Sequence, residues 1–280
     1  MILRRRQFQI AALVAAVGCF FVVFTYLFFP MGRVNAVINQ QLAAQGLTLT
    51  PGAHKTILPG LGWDNLLLSS EQGALVRCER FKLQLGLLPL LRGQVTVGAR
   101  AAIGSGRLDL EYGVTGRKAL ELHASGINLA DIPFFKTVLG ARAGGSLWSE
   151  GEVTRGAQGL NGALKLEIKQ LEFAGIKLGA FPLPDASNLR AQGMVRVTNG
   201  AARLESFTLE GEGIYMRLSG AIPTGANAAN APLNLMLEIM PKPEFLEKQK
   251  MVFMLLAKFA TSPGVYQLPV TGTLLKPAIL

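Results

Sequence analysis

Two histidines, two cysteines and a few closely spaced carboxylates are the residues with which this chain could do chemistry. A protein metal site needs three or four His, Cys or carboxylate ligands at short, regular spacing. His54 sits alone in a Pro/Gly loop (PGAHKT), and His123 falls on the outward register of an alternating strand. Cys19 lies in an apolar run and Cys78 far downstream, so no thiol pair is at hand for a metal or a disulfide. Acyl transfer from a nucleophile elbow would need G-x-S-x-G, and nucleotide binding G-x-x-x-x-G-K-[ST]; neither occurs. Gly104-Ser-Gly106 and Gly211-Glu-Gly213 resemble phosphate loops but lack the third glycine and the following helix, so both read as strand turns. Glu150 with Glu152, and Glu210 with Glu212, would share one face of a strand, as a catalytic carboxylate pair must. A solvated sheet face explains that spacing equally well and asks for less. No catalytic, cofactor-binding or metal-ligating set emerges, and the expectation is a protein that is not an enzyme.

The elements that would position these residues begin with a membrane segment. Phe8 to Phe29 is 22 residues without a charge (FQIAALVAAVGCFFVVFTYLFF). About 20 apolar residues at 1.5 Å each span a hydrocarbon core of roughly 30 Å. Its anchor residues are Phe8, Ile10, Leu13, Val17, Phe21, Phe24, Leu27 and Phe29. Arg4, Arg5 and Arg6 stand just ahead and orient it, with residues 1–7 on the cytoplasmic side and residues 30–280 exported. A cleavable signal peptide has a shorter apolar core and a small-x-small site. This segment is longer and ends in bulky Leu27-Phe28-Phe29-Pro30, so it reads as a retained anchor. Arg5-Arg6-Gln7-Phe8 matches a twin-arginine signal only in part, and the apolar run behind it is too hydrophobic for one.

Beyond the anchor the chain reads as mainly β. Val34, Val37, Ile38 and Leu42 recur at helical spacing, which predicts a helix from Met31 to about Gln45, stopped by Gly46. Period-two alternation then marks strands at Ala74–Leu85, Gln94–Ala99, Gly106–Gly113, Ala119–Ala124, Gly162–Leu171, Gly193–Val197, Ala202–Glu210, Tyr215–Gly220 and Leu233–Met240, with a last one at Val265–Leu274. Strand–turn–strand succession at about ten-residue spacing implies an antiparallel meander rather than βαβ units. Leu129–Leu139, broken at Pro133, and Pro243–Ala260 read as helices; the second carries a stripe of Val252, Leu255, Leu256 and Phe259. No linker marks a domain boundary, and Pro223–Pro232 is the loosest loop.

The charge is +10, but with Arg4–Arg6 set aside it is spread as 25 basic against 18 acidic residues. That permits contact with anionic lipid or wall polymers. No basic block with interleaved aromatics comes after the anchor, so nucleic acid is not expected as a partner.

Leu83-Gln-Leu-Gly-Leu-Leu-Pro-Leu-Leu-Arg-Gly-Gln-Val-Thr-Val97 resembles the strand, "pLL-x-G" turn, strand pattern of AsmA-like periplasmic proteins. So does Asn128-Leu-Ala-Asp-Ile-Pro133 followed by Gly144-Gly-Ser-Leu-Trp-Ser-Glu-Gly151. Leu218–Pro223, Pro232–Ile239 and the closing Ser262-Pro-Gly-Val-Tyr-Gln-Leu-Pro-Val-Thr-Gly-Thr-Leu-Leu-Lys-Pro277 resemble the type II secretion system protein N family (GspN). The likeness covers essentially the whole chain and rests on hydrophobic and Gly/Pro patterns. It implies a single N-terminal transmembrane helix followed by a curled, AsmA-like antiparallel sheet with a few short helices. It further implies a non-enzymatic subunit of a type II secretion system in the inner membrane of a Gram-negative bacterium, its bulk in the periplasm. Partners would be other subunits of that machine and lipid acyl chains; no cofactor is implied. The alternative within the same likeness is an AsmA-type protein that binds or moves lipid, or assists outer-membrane assembly.

Overall fold

The computed structural model describes residues 30–56, 59–225 and 227–279. The expected anchor from Phe8 to Phe29, with Arg4, Arg5 and Arg6, lies outside the described residues. Among the described residues no helix is long and apolar enough to cross a membrane.

The described chain opens with helix α1 (Met31–Ala43). Strand β1 (Leu47–Thr50) and the two-residue β2 (His54–Lys55) lead into the hairpin of β3 (Gly60–Ser70) and β4 (Gly73–Leu85). A five-residue helix, α2 (Leu87–Leu91), bridges to β5 (Thr96–Ile103), β6 (Gly106–Gly113) and β7 (Lys118–Asn128). A 3-10 turn at Leu129–Asp131 and helix α3 (Phe134–Leu139) precede the longest hairpin, β8 (Arg142–Gly156) with β9 (Gly159–Ala174). The small hairpin of β10 (Lys177–Leu178) and β11 (Phe181–Pro182) is followed by β12 (Ala186–Thr198), β13 (Ala201–Gly211), β14 (Ile214–Ile222) and β15 (Asn234–Pro241). Helices α4 (Pro243–Lys248) and α5 (Lys250–Leu255) come next, then β16 (Ala260–Ser262), β17 (Val265–Gly272) and β18 (Pro277–Ile279).

Sixteen strands form one antiparallel sheet in near-sequential order, so the expected mainly β meander is what forms. Both edges are short, as natural sheets make them to avoid pairing with other chains. β1 closes one side, and β16 and β18 share the outer edge of β17 on the other. The sheet is not flat. The Asn230 side-chain amide donates to the Gln45 carbonyl at 3.1 Å, although β1 and β14 stand ten places apart in the strand order. At about 4.8 Å per strand, a flat sheet would hold them roughly 48 Å apart. Register shifts on β8, β9, β12, β13 and β14 supply bulges, each of which adds twist and bend.

The strands were legible as alternation, yet the helices differ from expectation in two places. In α1, Met31, Val34, Asn35, Ile38 and Leu42 face the protein, whereas Val37 is 58% exposed. The expected helix from Pro243 to Ala260 is broken at Gln249, where φ is −120°. Gln249 gives its side chain to another strand connection: Nε2 donates to the Asp185 carbonyl at 2.5 Å, and Oε1 accepts from the Asp185 amide at 2.9 Å. The break rotates the second segment, so Phe253 and Leu256 are buried while Leu255 is 56% exposed.

The core has two centres. Twenty buried residues, most of them from β9, β12–β15, β17 and the β10–β11 and α5 segments, with Leu129 and Ile279 besides, form the larger; Leu189, Ile214, Ile239, Leu256 and Leu268 are almost wholly enclosed. Eight around Trp63, Leu66, Cys78 and Ile127 form the smaller, against which Met31 and Ile38 of α1 pack. Ile132 and Leu147 touch both.

Candidate functional site

Alternation along each strand and antiparallel pairing across strands together decide what each face of the sheet carries. One row of paired residues runs Leu61, Leu83, Ala99, Leu110, Leu122, Gly151, Leu164, Val195, Leu204, Gly220, Leu235 and Val270. It crosses twelve strands without a polar side chain. The neighbouring row, from Trp63 and Phe81 through Leu166 and Phe207 to Leu268, is interrupted only by Ser149. Ser149 is buried and donates to the Lys165 carbonyl at 2.8 Å. On the opposite face a row runs Lys82, Arg100, Asp109, His123, Glu150, Lys165. Both signs of charge occur in it, and the cross-strand neighbours Arg100 and Asp109 pair at 3.5 Å. The sheet therefore has an apolar inner face and a charged outer one.

Two glycines in the inner rows exist to make room. A Cβ on Gly151 would lie 2.6 Å from Cγ of Leu164, and one on Gly193 would lie 2.7 Å from Cδ2 of Phe207. A large side chain lies over each glycine, which keeps the apolar surface closed where the sheet bends.

The inner face is covered unequally. At the β12–β17 side, the β10–β11 hairpin and α4–α5 form a second layer. Phe253 meets Tyr266 at 5.2 Å between ring centres, Phe181 meets Phe259 at 5.4 Å, and Lys258 Nζ caps Phe181 at 4.5 Å. From Leu61 to Val195 the central row is only half-buried. A partly open apolar strip along the central row is thus left on the β3–β9 side, while the neighbouring row there is closed at Trp63, Ala101 and Ala124.

At the helical end of the sheet lies a cleft of about 1250 Å³ between α3 and α4. Its floor is apolar, with Phe173 and Ala186 buried in it, and its rim is charged by Lys136, Arg142, Glu172 and Glu244. The Lys242 amide donates to the Gly213 carbonyl at 2.7 Å and fixes the start of α4 at this rim.

Among the described residues, those singled out for chemistry are not assembled into a site. His54 Nε2 lies 3.8 Å from Asp64 Oδ2, too long for a hydrogen bond, and both are exposed. His123 lies on the outer face between Asp109 and Glu150. Glu150 and Glu152 do share that face, where Glu150 stands opposite Lys165. Glu212 reaches the rim of the cleft, and Glu210, on β13, is not among its lining residues. Burial pushes the Cys78 thiol up, away from the thiolate that would make it reactive. Gly104–Gly106 and Gly211–Gly213 form hairpin turns between β5 and β6 and between β13 and β14. Among the described residues no group of three His, Cys, Asp or Glu is placed to hold a metal. No family model, curated protein or solved structure matches the chain.

Two features had weak or no signal in the sequence. The continuity of the apolar rows depends on register, which alternation within one strand does not specify. The cleft collects residues from six segments whose polar types are unremarkable one at a time.

Proposed function

We propose that this chain is a non-enzymatic, membrane-anchored subunit of a type II protein secretion system, standing in the periplasm and working by contact. The observation that carries the reading is the apolar row across twelve strands, half-open between Leu61 and Val195. Such a face binds by area, roughly 25 cal/mol for each Å² of apolar surface removed from water, and needs no catalytic side chain. Exposed apolar surface on this scale marks an interaction site. The anchor segment, the order of elements and the closing Pro269-Val-Thr-Gly-Thr-Leu-Leu-Lys-Pro277 stretch resemble the GspN family and support the same assignment. The bending sheet with one apolar face is also what the AsmA-like likeness implies.

A second reading has its own support. The partly open central row is unbroken by charge, so it would accept an acyl chain as readily as a protein partner, which fits an AsmA-type lipid-handling role.

Deletion of the gene, with quantitative proteomics of medium and periplasm, separates the two. Under the secretion reading folded exoproteins vanish from the medium and accumulate in the periplasm. Normal export with an outer membrane that has become leaky to detergent would overturn it in favour of lipid handling.

A further inference from the structure

The two ends of the sheet differ in a way the secretion reading does not use. One end carries α3, the β10–β11 hairpin and α4–α5. The other, on the β3–β7 side, carries α2, the loop around Ala53 and the turn between β6 and β7. At this second end Leu88 is 78% exposed, Leu87 and Leu90 each 44%, and Val114 49%. These residues are neighbours: the Val114 amide donates to the Val95 carbonyl at 2.8 Å, which ties the β6–β7 turn to the segment following α2. Tyr112, 47% exposed, continues the patch onto the inner face opposite Val97.

The charges around this patch have one sign. Residues 51–59, 86–95 and 114–117 contain no Asp or Glu, while Arg92 and Arg117 are exposed at the patch. The first carboxylates on either side of the β6–β7 turn, Glu111 and Glu121, lie on the outer face of β6 and β7, and Lys118 holds Glu121 at 2.5 Å. The other end also exposes apolar side chains, Met251 and Met254, but the α4–α5 stretch that carries them has charges of both signs, Glu244 and Glu247 with Lys248 and Lys250.

The chain ahead of the described residues reaches the structure at the leucine end. Asn35, in the second turn of α1, bonds both backbone groups of Ala53: its Nδ2 donates to the carbonyl at 3.2 Å and its Oδ1 accepts from the amide at 2.8 Å. Ala53 lies just before His54, which pairs with Gly62 near the start of β3. The Leu85 amide in turn donates to the Pro59 carbonyl at 3.0 Å, beside the start of α2. Pro30 therefore enters at the end of the sheet where α2 projects, with Arg33 exposed beside it. Directly before Pro30 stand the 22 uncharged residues.

We propose that this end of the sheet rests on the surface of the bilayer that holds the anchor, with Leu87, Leu88 and Leu90 in the acyl region and Arg33, Arg92 and Arg117 among anionic headgroups. The inference rests on the anchored reading of the N-terminus. A patch of exposed leucines ringed by arginine and free of carboxylate is the chemistry by which proteins lie on anionic membranes. The anchor sets the distance, because a surface a few residues from a membrane span meets headgroups at high local concentration. Contact at two points would also fix the tilt of the sheet.

The test uses the full chain carrying C19A and C78A, with Leu88→Cys labelled by an environment-sensitive nitrobenzoxadiazole probe. The protein is reconstituted into phosphatidylethanolamine–phosphatidylglycerol vesicles. The expected result is a blue-shifted probe quenched by brominated acyl chains and shielded from aqueous iodide. The same probe at Met254→Cys, on the other end, should stay open to iodide. Adding Arg92→Glu and Arg117→Glu, or using phosphatidylcholine alone, should cut the acyl quenching at Leu88→Cys by severalfold. A Leu88→Cys probe as open to iodide as Met254→Cys, on vesicles that float with the protein, would overturn the membrane contact and leave the anchor standing. Protein that fails to float overturns both, and a leucine patch shielded only when another secretion subunit is added makes it a protein interface instead.

Discussion

The β12–β17 side and the β3–β9 side of the sheet carry the same apolar rows and put them to different use. On the first, the β10–β11 hairpin and α4–α5 fold back over the face, and Leu268, Ile239 and Leu256 have no measurable exposure. In the central row that both sides share, Leu204 and Val270 are buried on the first side, whereas Leu83, Leu110, Leu122 and Leu164 on the second keep part of their surface in solvent. Apolar alternation therefore states only that a face will leave water if something covers it. Whether the cover is the chain's own second layer or a partner depends on elements elsewhere in the sequence.

The sharpest way to break this comparison is to truncate one leucine on each side. Leu268→Ala should destabilise by about 2–5 kcal/mol, the usual cost of a buried leucine cavity. Leu122→Ala should cost under about 1 kcal/mol, because its side chain already meets solvent. Thermal unfolding of the full chain in detergent measures both, and equal losses would mean the β3–β9 face is as closed as the other. Next in size comes Gly193→Ala, whose new methyl would strike Phe207 on the inner face. Overpacking of that kind costs about 1–3 kcal/mol. Phe207→Ala in the same chain should recover part of the loss, which a double-mutant cycle would read as a coupling between the two sites.

Asn35→Ala tests what holds α1 to the sheet. Losing both bonds to Ala53 should cost about 1–2 kcal/mol and speed hydrogen exchange at the Ala53 amide. Exchange there at the parent rate would show that packing by Met31 and Ile38 suffices. The smallest effect belongs to the outer face. Arg196 donates to Glu205 and holds its carboxyl below the usual range, with Nη2 at 3.3 Å from Oε2. The lowered value means that this pair stabilises above the ordinary carboxylate pKa and is lost as pH falls through the lowered one. Both groups are solvated, so Glu205→Gln should leave the melting temperature at pH 7 nearly unchanged. A large drop would show that the charged face bears on stability after all.

Much of the fold was legible because alternation is local. The long strands from β4 onward follow from it, except β8, whose first half of Gly, Ser and Trp carries no clean period. β1, β2, β16 and β18 are two to four residues long and form by pairing with a neighbour already in place. The α4–α5 break was not legible, since Gln249 is an ordinary helix former until Asp185 stands beside it. Of the candidate surface, the sequence showed the apolar residues but not the register that aligns Leu61 with Val270. Leu87, Leu88 and Leu90 were visible as a turn within a strand pair; their exposure comes from a segment too short to turn all three inward.

The central claim is that the open β3–β9 face is where this protein works. Its most direct test is complementation of a deletion strain with Leu110→Asp and Leu122→Asp together, beside an outer-face control, Arg100→Asp. Export is read as exoprotein in the medium, with membrane level and protease resistance confirming that each chain is folded. The account predicts that the wild-type and control chains restore export and that the double variant does not. A folded double variant that restores export in full would contradict it.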